Sequence, residues 1–230
     1  METEKMFSPY MLKGKRIKNR FIRSATNDHL GNADGTVSDA EIDMYDVLGR
    51  NEVGTIITGH ISVSPDLGYR ADEMQLCIGD DSYIEGLRRI SAKIHQYDAI
   101  AIAQLSLAGP KGLHPFDFND LTTEEIERIR DWFISAAIRA DKAGFDGVQI
   151  HVAHWYLLQA MVNVDVNKRT DSALHPLRNR VEAQRGLVER IAKRIARDVA
   201  RLCGDRLGMQ NLLCAKVERV AVVGDKRASA

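Results

Sequence analysis

Two histidines and a tyrosine lie close together in the segment QIHVAHWY, residues 149–156. His151 and His154 are three residues apart, and Tyr156 follows two residues later. Neutral imidazoles on one side of a helical turn can donate hydrogen bonds together to one carbonyl oxygen or oxyanion. A neighbouring phenol can supply a proton. The spacing therefore favours a site that binds and protonates an activated carbonyl compound.

The histidine pair has two other interpretations. Zinc binding needs a third ligand, and neither such a ligand nor the HExxH signature is evident near the pair, so we predict no metal site. A structural role is the second alternative, because polar residues at a strand end are often hydrogen-bonded. We interpret Trp155 as a packing residue.

Gln104 ends an apolar segment, and its amide offers both a donor and an acceptor to the uracil-like edge of a flat heteroaromatic ring. A buried glutamine that is satisfied by backbone groups is the alternative interpretation. Gly59 and Gly109 permit the close approach of a ligand to the backbone, although turn geometry alone also explains a glycine.

These residues follow short apolar segments that alternate with longer helical patterns, as in a parallel sheet with crossover helices. Ligands of such folds collect at the carboxyl ends of the strands. The predicted strands are 20–26, 54–63, 99–107 and 146–153. An eight-stranded barrel needs about 250 residues. We therefore expect an α/β fold with the first four to six strands of a (β/α)8 TIM barrel, which this chain alone does not close.

Three capping boxes predict where the helices begin, namely Ser38 with Glu41, Ser82 with Glu85, and Thr122 with Glu125. The third helix places six apolar residues on one face and ends before Gly144; these residues are Ile126, Ile129, Phe133, Ala136, Ala137 and Ala140. Residues 167–180 look like a polar loop, and residues 181–203 show an Arg-rich helical pattern.

The composition excludes several partners. The 32 lysines and arginines balance the 32 aspartates and glutamates, so we expect no nucleic-acid or membrane partner. The three cysteines are widely spaced, which favours a reducing compartment. The charged N-terminal segment lacks an apolar run long enough for a signal peptide. We therefore expect a cytoplasmic protein.

Four ordered segments resemble the strand motifs of the Old Yellow Enzyme family of NADH:flavin oxidoreductases. They are NRFIRSAT (19–26), VGTIITG (53–59), AQLSLAG (103–109) and AGFDGVQIHVAH (143–154). The segments NKRTD (167–171) and NR (179–180) resemble the loop after the family's fourth strand. The resemblance covers roughly residues 5–180, so we divide the chain into a partial FMN-oxidoreductase barrel, residues 1–180, and a divergent helical tail, residues 181–230.

The resemblance implies a role for seven residues. His151 and His154 would bind the electron-withdrawing oxygen of an enone-like substrate, and Tyr156 would be the proton donor. The flavin would be lined by Ser24, Ala25, Gly59 and Gln104. The implied reaction is the reduction of an activated alkene by NADH or NADPH through FMN.

The chain also departs from the family pattern. Trp155 replaces a glycine that usually precedes the tyrosine, and Leu174 and His175 replace paired glycines. The family binds the FMN phosphate with late barrel loops that we do not find in this sequence, so weak or absent binding of FMN is an alternative to tight retention.

Two alternatives to an active ene-reductase follow from these departures. The first is a non-catalytic half-barrel that acts through partner binding or as a homo-oligomer covering its open sheet edges. The second is a fragment that does not fold stably, for which we expect a non-cooperative thermal melt.

Overall fold

The computed structural model describes residues 2–12, 15–163 and 165–169. The chain begins with helix α1 (Glu2–Phe7), followed by strands β1 (Tyr10–Leu12) and β2 (Lys15–Ile17). The two strands pair antiparallel, with Tyr10 opposite Ile17. This small unit precedes the main sheet.

The main sheet has four parallel strands in sequential order. They are β3 (Ile22–Arg23), β4 (Thr55–Ser62), β5 (Ile100–Ser106) and β6 (Gly147–Ile150). Most residues of β4 and β5 are buried, as expected for parallel strands covered on both faces. Their register is irregular between Ile57 and His60.

Helices connect successive strands in the order of β/α units. They are α2 (Asp39–Arg50), α3 (Ile84–His95) and α4 (Thr123–Lys142), and a short helix α5 (Leu157–Val162) follows β6. The main core lies between the helices and the sheet, where Ile56, Leu87, Leu105 and Phe133 are almost completely buried. Packing of three helices on one parallel sheet fixes where the strands end.

The four predicted strands are present, and all are shorter than predicted; β4 and β5 lose one residue at each end, whereas β3 and β6 lose half of their length or more. β3 ends at Arg23, the last residue that pairs with β4. β6 ends at Ile150, and only the amide of His151 extends the ladder, by bonding to the Leu105 carbonyl oxygen.

One of the three predicted capping boxes forms in full. The Thr122 hydroxyl accepts from the Glu125 amide, and the Glu125 carboxylate accepts from the Thr122 amide. Ser38 caps α2 through the Glu41 amide, but the Glu41 carboxyl is buried elsewhere and does not return the bond.

The box predicted at Ser82 is wrong. Asp80 caps this segment instead, because its carboxylate accepts from the Ser82 amide at 2.8 Å and begins a single 3₁₀ turn. Helix α3 then starts at Ile84 without a side-chain cap. The Ser82 hydroxyl itself donates to the Asp80 carboxylate, so it does not act as a cap for the Glu85 amide.

The prediction for α4 is confirmed. All six residues of its predicted apolar face are buried. Gly144 has φ +85°, and its amide and that of Phe145 bond to carbonyl oxygens of the last helical turn. The chain then enters β6 directly, as the C-terminal glycine indicates.

The described residues thus form part of a (β/α) barrel, an open sheet of four parallel strands with β3 at one edge and β6 at the other. No helix in the described ranges is long and apolar enough to cross a membrane. The predicted tail, residues 181–230, and residues 170–180 of the predicted loop lie outside the described residues.

Candidate functional site

A row of polar side chains crosses the carboxyl ends of three neighbouring strands. His60 on β4 is in register with Gln104 on β5, and Gln104 is in register with Gln149 on β6. The parallel register therefore brings together residues that are far apart in the sequence. It also places them next to the loop that carries the predicted histidines and tyrosine.

Four aromatic rings form one cluster at this end of the sheet. The ring centroids of His151 and Tyr156 are 4.9 Å apart, and those of His151 and His154 are 5.3 Å apart. His60 contacts the cluster from β4, with its centroid 5.4 Å from Tyr156 and 5.8 Å from His151. The structure thus brings the three predicted side chains together and adds a third imidazole.

The loop that carries the cluster is not a helical turn, contrary to the sequence prediction. His154 and Trp155 have φ of 58° and 62°, which is the left-handed region that favours glycine. The amides of Trp155 and Tyr156 bond to Gln159 Oε1 and the Ala153 carbonyl oxygen. Trp155 is about half exposed, and Tyr156 faces the two histidines.

His151 and His154 contact each other through their ring nitrogens. Nε2 of His151 lies 3.3 Å from Nδ1 of His154, so one imidazole donates to the other. Nδ1 of His151 is buried and has no hydrogen-bond partner within the described residues. Donation by both rings to one ligand oxygen therefore requires that a ligand replaces this mutual bond.

Burial keeps two of the three imidazoles neutral. The pKa of His60 is lowered to about 4, chiefly by desolvation and in smaller part by the neighbouring His154 and His29, against the opposing effect of Asp72. Desolvation, together with the charges of His60 and His154, also lowers the pKa of His151 to about 4. At neutral pH both rings therefore have one N–H donor each.

Tyr156 keeps its proton at neutral pH. Desolvation raises the pKa of its phenol, and the negative charge of Asp72 raises it further. Asp72 itself stays ionised, because hydrogen bonds from Asn27 and the Met74 amide lower its pKa against the effect of burial. The phenol is therefore a proton donor rather than a base.

Two glutamines present a donor and an acceptor side by side. Gln104 Nε2 donates to Gln149 Oε1 at 2.8 Å. Within the described residues, Gln104 Oε1 and Gln149 Nε2 make no further hydrogen bond. The pair therefore offers one acceptor and one donor side by side, whereas the sequence predicted a role at a flavin edge for Gln104 alone.

The other predicted flavin residues lie on the neighbouring strand and loop. Ser24 is exposed and Ala25 is half-buried just after β3, which pairs with β4. A Cβ on Gly59 would lie 3.0 Å from the Thr26 carbonyl oxygen and 3.0 Å from Asp28 Oδ2. Because Gly59 has no side chain, this neighbouring segment of the chain can pack close against it.

Gly109 likewise leaves room for another segment of the same chain. It has φ +59°, and a Cβ there would lie 2.8 Å from Leu157 Cβ. The glycine therefore lets α5 begin close to the end of β5, where the Leu157 amide bonds to the Leu107 carbonyl oxygen. This contact accounts for Gly109 without a ligand.

No individual role was predicted from the sequence for His60, which was expected only as one of the strand-end residues, or for the acidic pair of Asp28 and Glu41 behind Gly59. Burial and the negative charge of Asp28 raise the pKa of Glu41 to about 8. The Tyr45 hydroxyl accepts from the Gly59 amide at 3.2 Å. The sequence predicted Glu41 only as the partner of Ser38 in a capping box, and that local pattern does not indicate its burial.

The fold and the strand-end cluster define a protein of the (β/α)-barrel class. The sequence profile of the NADH:flavin oxidoreductase / NADH oxidase family matches residues 5–117 and 111–226. The chain belongs to this family. The match continues to residue 226, beyond the four strand motifs.

Individual relatives agree with the family match. The chain is 37% identical over 185 residues to the probable NADH-dependent flavin oxidoreductase YqiG of Bacillus subtilis, covering 72% of this chain and 49% of that protein. It is 32% identical to an NADPH dehydrogenase of Halalkalibacterium halodurans, covering 81% of this chain and 59% of that protein. The chain thus spans about half the length of these relatives.

Solved structures agree with the fold. The old yellow enzyme of Trypanosoma cruzi aligns with a TM-score of 0.73 at 24% identity, covering 91% of this chain and 66% of that one. A 2-naphthoyl-CoA reductase in complex with 2-naphthoyl-CoA aligns with a TM-score of 0.78 at 18% identity, covering 95% of this chain and 38% of that one. At these identities the likeness concerns the fold.

Proposed function

We propose that this chain supplies the substrate-binding and flavin-facing part of an FMN-dependent NAD(P)H oxidoreductase that reduces activated alkenes. The observation that carries the proposal is the ring cluster of His151, His154 and Tyr156 beside the paired amides of Gln104 and Gln149. Membership of the flavin oxidoreductase family supports it.

His151 and His154 would bind the electron-withdrawing oxygen of the substrate, because neutral imidazole N–H groups stabilise negative charge that develops there. His151 is buried, so its bond to this oxygen is stronger than in water, whereas His154 is exposed at the edge of the site. The mutual bond between the rings would be exchanged for bonds to this oxygen. The alkene would thereby be polarised for reduction.

Tyr156 would supply the proton that completes the reduction. FMN, when bound, would supply the hydride that reaches one alkene carbon, with NADH or NADPH as the source of electrons. The Tyr156 phenol would donate its proton to the other alkene carbon and regain one from water. Its raised pKa keeps this proton available at neutral pH.

Gln104 and Gln149 would bind the pyrimidine edge of the flavin, with Ser24, Ala25 and Gly59 on the neighbouring strand and loop. A titration of FMN into the full chain tests this role through flavin absorbance and fluorescence. Saturable binding is expected, and a Gln104→Leu change should weaken it. Absence of binding at high FMN would contradict the flavin role, and an exposed Gln96→Leu change is the control.

The first prediction concerns the proton donor. Tyr156→Phe should lower the rate of cyclohexenone reduction by about 10²–10⁴-fold, the usual contribution of a general acid. Phenol affinity should be retained in this variant, whereas His151→Ala and His154→Ala should weaken phenol binding. Enone consumption with excess FMN and NAD(P)H measures the rate. Unchanged phenol affinity in all three variants would exclude this pocket.

An exposed sheet edge favours a second candidate, a self-associating protein. β3 pairs only with β4 within the described residues, and Ile22 on this edge is 49% exposed. Phe7 and Phe21 pack edge to face nearby and are exposed as well. A second copy that covers this edge would give a homo-oligomer, which light scattering detects.

We also propose a cytoplasmic location. Cys77 is a free, buried thiol, and burial raises its pKa to about 12, so it stays reduced and unreactive in the fold. Cell fractionation tests this location, and recovery of the protein from a secreted fraction would contradict it.

A further inference from the structure

The imidazole of His60 is held in one orientation by Gln75. Nε2 of Gln75 lies 2.6 Å from His60 Nδ1 and also donates to the His60 carbonyl oxygen at 3.0 Å. The Ser106 hydroxyl lies 3.2 Å from the same Nδ1. Gln75 is 2% exposed and His60 8%, so these contacts are shielded from water.

The orientation of the Gln75 amide is fixed independently of His60. Its Oε1 accepts from the Ala71 amide at 2.6 Å, so the opposite atom, which faces His60, is the nitrogen. A proton on His60 Nδ1 would then face the amide hydrogens at 2.6 Å. Nδ1 is therefore the acceptor, and the proton of the neutral ring lies on Nε2.

Arg70 fixes the loop that carries Gln75. Its buried guanidinium donates to the carbonyl oxygens of Ala33, Glu73 and Gln75. The loop therefore has little freedom to turn the Gln75 amide away from His60. Arg70 and Gln75 therefore hold the His60 ring in position without being part of the ring cluster.

Nε2–H of His60 has no hydrogen-bond partner within the described residues. The ring that carries it contacts both Tyr156 and His151, so the donor belongs to the cluster proposed to bind substrate. Unlike Nδ1 of His151, Nε2 of His60 is not sealed from solvent, so a ligand that enters the cluster can accept from it. The ring cluster therefore has one more donor than the two predicted histidines provide.

We propose that His60 is a third substrate-binding imidazole, held as the Nε2–H tautomer by Gln75. This inference rests on the proposed function of the site. The third donor favours activated alkenes whose electron-withdrawing group offers two acceptor oxygens, such as an ester or a nitro group, over simple ketones. Gln75 is a positioning residue that acts through His60.

Long-range ¹H–¹⁵N spectra of the full chain test the tautomer directly. His60 should show the Nε2–H tautomer at neutral pH, and its Nε2 signal should shift when phenol is added. A His60 ring that carries its proton on Nδ1, or is charged, overturns the proposal. So does a titration in which phenol leaves the His60 signal unchanged.

Variants of Gln75 test the positioning role. Gln75→Leu should give a mixture of tautomers, and Gln75→Glu should place a proton on Nδ1, because a carboxylate accepts from it. Each should weaken phenol binding about three- to tenfold, the effect of one lost neutral hydrogen bond. Gln96→Leu, on the surface at the end of α3, is the control.

The role of His60 and the proposed function can fail independently in these experiments. Phenol that shifts His151 and His154 but not His60 overturns the inference and leaves the proposed function in place. Failure of FMN binding and enone reduction, with an intact phenol shift of His60, overturns the flavin chemistry alone. If Gln75→Leu does not fold, the spectra of the unmodified chain still decide the tautomer.

Discussion

At the scale of single residues, burial sets the protonation states in and around the site. His60 and His151 are neutral, and Tyr156 keeps its proton. Glu41, behind Gly59, also keeps its proton, because burial disfavours its charged form and a second ionised carboxyl beside Asp28 would be unfavourable. These states give the folded chain two opposite dependences of stability on pH.

The neutral imidazoles should make the fold less stable in acid. Their pKa falls from an ordinary value of 6.5 to about 4 on folding, so the unfolded chain binds more protons between these values. The contribution of these two imidazoles to the free energy of unfolding is fully present above about pH 6.5 and is lost as the pH falls towards 4. At roughly pH 5, each imidazole should lower the free energy of unfolding by about 2 kcal/mol.

Urea unfolding at about pH 7 and pH 5 measures this loss. His151→Asn should reduce the difference between the two pH values, because one titrating group is removed. The exposed His114→Asn is the matched control and should leave the difference unchanged. An equal loss in His151→Asn and the parent chain would contradict the assignment of this pH dependence to the cluster.

The buried carboxyl should act in the opposite direction. The pKa of Glu41 rises from 4.5 to about 8 on folding, so the folded chain binds more protons between these values. The contribution is fully present below about pH 4.5 and is lost as the pH rises through about 8. Glu41→Gln should abolish this decline in the free energy of unfolding, whereas the exposed Glu73→Gln should retain it.

At the scale of elements, the loop between β6 and α5 decides the geometry of the site. This loop has six residues, 151–156, and contains His151, His154 and Tyr156. Its reversal depends on two consecutive left-handed residues, and neither is a glycine. Non-glycine residues in this region cost about 1–3 kcal/mol each when nothing compensates. The loop therefore stores strain beside the site.

Trp155→Gly should release part of this strain. The side chain is about half exposed, so its removal costs little buried surface, and glycine adopts φ of 62° without a penalty. We expect an increase in stability of about 1 kcal/mol or less, since glycine also loses more entropy on folding. Trp155→Ala keeps the strain and should not stabilise the chain. Thermal melts that rank alanine above glycine would contradict this account.

At the scale of the whole molecule, the sheet formed by the described residues has two edges, β3 and β6. β3 is two residues long, and within the described residues only one of its sides is paired. Exposed edges are prone to pairing with another chain. The apolar side chains at this edge therefore decide whether the chain associates with a second copy.

Ile22→Lys should prevent association at the β3 edge, because a charge on an edge strand opposes pairing. Val47→Lys introduces the same charge at a similarly exposed position on α2 and is the control. Light scattering during size exclusion measures the mass of each variant. A parent chain that is already monomeric, or an oligomer unchanged by Ile22→Lys, would exclude this edge as the interface.

The sequence by itself determined the order of the β/α units, the apolar face of α4 and the segment that carries His151, His154 and Tyr156. These features depend on residue spacing along one segment, where local periodicity and turn chemistry suffice. The Thr122 box and Gly144 were predictable for the same reason. Family resemblance added the flavin chemistry, which stays a proposal for this chain.

Only the tertiary structure decided which side chains meet. His60, Gln75 and Ser106 come from three distant segments, and the register of β4 against β5 brings two of them together. Burial of Glu41 depends on Asp28 and Tyr45 facing it, which a local capping pattern cannot encode. Contacts between distant segments follow from packing, so the third imidazole and its tautomer were not readable from the sequence.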